Sequence, residues 1–113
     1  MRDEDTIWQY LALIDFVQME ARSSQICSDC HWYLFGSVLH GECSPIDIDL
    51  LAVVGSVRDG VELRAAMSEW LRANPIHLVI MTEAELRETN FIKVVRARRL
   101  VTLRTTSRGG LVH

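Results

Sequence analysis

With 113 residues, 49% of them hydrophobic and 24% charged, the chain is sized for one domain with a modest core, and its apolar content excludes disorder as the expected state. The formal net charge of −3 is uneven, because six of the twelve basic residues and none of the fifteen acidic ones follow Glu88, so residues 1–88 carry −9. No apolar run approaches the ~20 residues of a membrane span, the start Arg2-Asp3-Glu4-Asp5 is acidic where a secretion signal is basic, and three cysteines make an odd number for a disulfide framework, so a cytoplasmic protein with free thiols is expected.

In chain order, Ile7, Tyr10, Leu11, Ile14 and Val17 recur at three- and four-residue steps and predict a helix from Thr6 to about Arg22. Ser23 to Asp29 reads as a loop, and His31–Phe35 as a strand. Between them Cys27-Ser28-Asp29-Cys30-His31 matches a haem-attachment spacing, but that chemistry needs export. A zinc site drawing on Cys27, Cys30, His31, His40 and Cys43 lacks a second pair with the right spacing, so two reduced thiols are the expectation. A short helical turn follows Ser37, and a strand runs from Asp47 to Val54, ended by Gly55-Ser56. Asp59-Gly60-Val61-Glu62 reads as a capping box for a helix that buries Leu63, Ala66, Met67, Trp70 and Leu71 and stops at Asn74-Pro75. Ile76–Met81 is a third strand. Thr82 and Glu85 form another capping box, for a helix to about Arg98 with Leu86, Phe91, Val94 and Val95 inward. Leu100–Leu103 is a final short strand, so the domain spans residues 1–104 and Thr105–His113 is a tail. Helices alternating with strands imply a layered α/β domain.

The stretch that carries chemistry is Phe35-Gly36-Ser37 through Asp47-Ile48-Asp49-Leu50-Leu51. Side chains alternate along a strand, so Asp47 and Asp49 point one way while Ile48 and Leu50 point into a core. Two neighbouring carboxylates repel one another, and a divalent cation relieves the repulsion. Upstream, Gly36-Ser37 lets backbone amides and a hydroxyl approach a phosphate.

Gly36-Ser37, Gly41 and Asp47-Ile48-Asp49-Leu50-Leu51 together resemble the signature of the DNA polymerase beta-like nucleotidyltransferase superfamily, and the length is similar to its minimal single-domain members. The resemblance implies an α/β (α+β) fold, with a mixed sheet of about four strands and helices packed mainly on one face. It implies Mg2+, as two ions held by Asp47 and Asp49, and an NTP, with ATP the expected substrate, held by Gly36, Ser37 and Ser44. In this superfamily a third carboxylate completes the catalytic set, and the matching position here is His77, in Ile76-His77-Leu78-Val79-Ile80. Imidazole is a poor partner for Mg2+. Three readings stay open: His77 as a general base, Glu83 or Glu85 substituting from the next helix, or a site that binds nucleotide and does little chemistry. A further departure is Ile46, where many members carry serine. His40 takes the place of a basic residue beside Gly41.

The leading expectation is transfer of a nucleoside monophosphate to a hydroxyl acceptor. Minimal members often act with a helical partner, the HEPN domain, in toxin-antitoxin pairs, so a protein acceptor of that kind is a specific expectation, and a homo-oligomer is another. The alternative is a catalytically degenerate domain that works by binding a partner protein. Nucleic-acid binding through Lys93 to Arg108 is less favoured, since basic residues on a helix face are usually solvated.

Overall fold

A computed structural model describes Gln9 and residues 11–12, 14–27, 29–36 and 48–100. The elements within that range are α1 (Phe16–Ile26), β1 (His31–Phe35), β2 (Ile48–Val54), α2 (Val57–Ala66), α3 (Ser68–Ala73), β3 (Ile76–Thr82), α4 (Glu83–Thr89), α5 (Phe91–Val95) and β4 (Arg98–Leu100). The expected turn after Ser37, the residues Ser44 and Asp47, strand residues 101–103 and the tail lie outside the described residues.

The first predicted helix is broken. Gln9, Leu11 and Ala12 are helical, but Asp15 adopts a left-handed conformation (φ 56°) before α1 begins. The break frees the Ile14 carbonyl, which accepts the indole N–H of Trp70. It also resets the helical phase, so Phe16 is fully buried and Val17, expected inward, is 41% exposed. Helix α1 then runs on to Ile26, through residues that were expected to form a loop. Ser23 fits there because its hydroxyl donates to the Glu20 carbonyl at 2.7 Å and accepts Trp32 Nε1–H at 3.2 Å, so the buried hydroxyl and the buried indole satisfy one another.

The strands form one mixed sheet in the order β3-β2-β1-β4. Strand β1 is antiparallel to both β2 and β4, while β2 and β3 run parallel, joined by α2 and α3 as the crossover such a pair requires. One sheet face carries Trp32, Leu34, Ile48, Leu50, Ala52 and Leu78 into the main core under α1, α2 and α3. Trp32 is its centre, meeting Phe16 and Trp70 edge-on at ring-centroid distances of 5.5 and 6.4 Å. On the opposite face Leu51 and Val53 are also buried, and Phe35 meets Phe91 of α5 edge-on at 5.3 Å. The larger helical layer thus lies on one face, as expected.

Helix α2 starts earlier than the predicted Asp59 box. Its cap is Ser56, whose hydroxyl accepts from Asp59 N–H at 3.1 Å, so Asp59 sits inside the first turn. Gly60 lets this helix approach β3: a β-carbon there would stand 3.1 Å from Ile80 Cγ2. The helix does not run unbroken to Asn74 but resets at the buried Met67. Leu63 and Trp70 are buried as expected, and Ala66 is exposed. Arg64 donates from Nη2 to the Leu78 carbonyl of β3 at 3.0 Å.

The Thr82–Glu85 capping box forms as predicted. The helix behind it ends at Asn90, which is left-handed (φ 54°), and α5 is a short separate helix ended by left-handed Arg96. Chain reversal at these two points starts the last strand at Arg98 rather than Leu100 and leaves Val94 70% exposed. Arg99 of β4 donates to His31 Nδ1 at 2.8 Å, tying the short strand to β1.

Candidate active site

Register assembles the site. Phe35 pairs with Asp49 across β1 and β2, and Asp49 pairs with His77 across β2 and β3, so the three stand side by side on the sheet face opposite the main core. Ile48 and Leu50, the neighbours of Asp49, are buried at 5% and 0% exposure, which fixes Asp49 outward. Its side chain is 22% exposed and that of His77 is 65% exposed.

Asp49 Oδ1 stands 3.1 Å from His77 Nδ1. The carboxylate can only accept, so the imidazole donates Nδ1–H to it. Gly36 closes the other side of the carboxylate: it ends β1 with φ 85°, and a β-carbon built on it would overlap Asp49 Oδ2. Glycine is required there twice, for the backbone conformation and for the space. The ion-pairing contact seen for Asp49 among the described residues is this one with His77.

Gly36, Asp49 and His77 are therefore brought together, while Ser37, Ser44, Asp47 and His40 lie outside the described residues. Glu83 and Glu85 do not reach the site. They follow β3 at its far end, about 17 Å along the strand from His77, and Glu85 Oε1 is taken by Thr82 N–H. A groove lined by Val54, Val57, Gly60 and Ile80 lies at that same far end. The direct contact of Asp49 with His77 was not anticipated. Its signal is that each lies one residue inside its strand, in parallel strands that start level.

Of the residues considered for zinc, His40 and Cys43 lie outside the described residues, and Cys27 and Cys30 are free thiols. The Cys27 thiol is buried and donates towards Asp59 Oδ2 at 3.7 Å, and Cys30 is half-buried. Burial above all, with Cys27 and Glu20 close by, pushes the Cys30 thiol up to about 12. Such a thiol stays protonated and unreactive at neutral pH. Among the described residues no three of His, Cys, Asp and Glu converge on one point, and no helix is long and apolar enough to cross a membrane.

The donor chemistry fits a dication only in part. Asp49 offers hard oxygen on a side chain that is 22% exposed, and Gly36 leaves that carboxylate in place where a side chain would displace it. The nitrogen of His77 does not suit Mg2+.

Among solved structures the fold is similar to one described as "Crystal structure of putative nucleotidyltransferase", with a TM-score of 0.61 and 23% sequence identity over 77% of this chain and 98% of that chain. The chain thus has a nucleotidyltransferase fold. No family model and no curated protein matches it.

Proposed function

We propose that this nucleotidyltransferase-fold domain moves a nucleoside monophosphate from a nucleoside triphosphate, ATP in the first instance, to a hydroxyl acceptor. The observation that carries the reading is Asp49, an outward carboxylate on an inner strand, backed by Gly36 and in contact with His77. In such a transfer the acceptor oxygen bonds to the α-phosphorus while the bond to the bridging oxygen breaks. Pyrophosphate leaves with that electron pair, and the acceptor proton is lost. A bound divalent metal, Mg2+ by the resemblance and with two ions at once, offsets phosphate charge and eases ionisation of the acceptor.

In this proposal Asp47 and Asp49 hold the metal, Gly36, Ser37 and Ser44 line the triphosphate, and His77 completes the catalytic set. The proposed acceptor is a hydroxyl on a helical partner protein of the HEPN kind, as in a toxin-antitoxin pair. His77 also favours a second reading, in which the domain has lost catalysis and acts by binding its partner, since it stands where a carboxylate is expected.

The test is incubation with α-labelled ATP, CTP, GTP or UTP, a divalent metal, and a lysate of the native host. Label transfer is expected, and Asp47→Ala or Asp49→Ala should reduce it about a hundredfold or more. Absence of both label transfer and metal-dependent nucleotide binding would overturn the proposal, and partner binding without either would favour the second reading.

A further inference from the structure

We infer that the basic surface formed by α5 and β4 docks an acidic segment of the protein that carries the acceptor hydroxyl, a segment with apolar anchors among its carboxylates. The inference rests on the nucleotidyl-transfer reading and names the chemistry of the partner.

Charge carries the first part. Six basic and no acidic residues follow Glu88, and four of the six, Lys93, Arg96, Arg98 and Arg99, are exposed on α5, on β4 or between them. Residues 1–88 carry −9, so an approaching acidic segment is repelled by the body of the molecule and drawn to this end.

Position carries the second. Phe91, the first residue of α5, meets Phe35 edge-on at 5.3 Å, and Phe35 pairs with Asp49. On β4, Arg99 pairs with Tyr33, which lies two residues from Phe35 on the same sheet face. Ordinary strand spacings then put the backbone of Arg99 about 12 Å from that of Asp49. An extended chain covers that distance in about four residues, so a segment held on α5 and β4 can present a nearby hydroxyl to the candidate active site.

What lies among the charges sets the class of partner. Val94 is 70% exposed beside Lys93, and an apolar anchor gains by covering it where a phosphate backbone does not. The rings that could stack on bases are engaged with each other, since Phe35 and Phe91 are half-buried and packed edge-on. The surface thus suits an acidic polypeptide better than a nucleic-acid strand.

The experiment uses the full chain and a fluorescent synthetic peptide of repeating Glu-Glu-Leu, read by anisotropy, with an all-glutamate peptide and an oligouridine of equal length as comparisons. The Glu-Glu-Leu peptide should bind more tightly than the other two, and its binding should weaken as salt rises. Lys93→Glu combined with Arg98→Glu should cost about tenfold in peptide affinity, and the neutral pair Lys93→Gln and Arg98→Gln should cost less. Val94→Asp should remove the advantage of the leucines. Circular dichroism checks that each variant keeps its fold, and Asp49→Ala should leave peptide binding intact. Absence of peptide binding, equal affinity in the charge-reversed and wild-type chains, no gain from the leucines, or tighter binding of oligouridine would each overturn the inference. Label transfer to a host protein that charge reversal left unaltered would also overturn it and leave the transfer reading standing. Charge-dependent peptide binding by a chain that transferred no label would uphold the docking surface and sink the transfer reading.

Discussion

At the scale of single residues, Gly36 is the position with least freedom. Its φ of 85° is costly for any side chain, and a β-carbon would push directly on the Asp49 carboxylate. Gly36→Ala should destabilise the fold by about 1–3 kcal/mol in urea unfolding and weaken metal binding as well. Repeating the change in an Asp49→Ala background removes the group that the methyl strikes, so the double variant should lose less than the two single changes summed. The sequence already marked Gly36 and Asp49, because a Gly-Ser turn and an Asp-Ile-Asp strand are local patterns. Their physical apposition was not readable there. It depends on pairing between β1 and β2, a tertiary fact with no local signature.

At the scale of elements, strands were more legible than helix ends. Alternating and continuous apolar runs located β1, β2 and β3 almost to the residue, since burial on a sheet face enforces period two. Helices were placed correctly but drawn too long. Asp15, Asn90 and Arg96 interrupt them with left-handed backbone that a non-glycine sequence does not announce. The missed extension of α1 has a different cause: serines at 23 and 24 read as loop formers, yet both hydroxyls bond back to carbonyls within the helix. The start of α2 turns on one hydroxyl. Ser56→Ala should cost about 1 kcal/mol in thermal or urea unfolding, whereas Glu62→Ala, in the residue expected to complete a box with Asp59, should cost a few tenths at most, because its pairing with Arg58 is exposed.

At the scale of the whole molecule, the chain's stability should depend on alkaline pH through Cys30. Its thiol ionises near 9.0 ordinarily but at about 12 in the fold. Below pH 9 both states hold the proton, so the contribution to stability is fully present. Between pH 9 and about 12 the unfolded chain loses the proton and the folded chain keeps it, so stability falls as pH rises. Chemical denaturation at pH 8, 10 and 11 should show that decline, and Cys30→Ala should flatten it. Native protein at pH 8 should also react slowly with iodoacetamide at Cys30. Charge segregation belongs to this scale too. The acidic body and the basic end were visible in composition, but the position of Arg98 and Arg99 on the short outer strand β4 came only with the sheet.

One contact, Arg64 on the Leu78 carbonyl, bears on how the molecule avoids its own kind. Strand β3 borders the described sheet with a nearly all-apolar run from Ile76 to Met81, the sort of border on which stray chains add and aggregates grow. The guanidinium occupies an acceptor that an incoming strand would need. On the border that carries His77, one outward acceptor is thereby closed to another polypeptide.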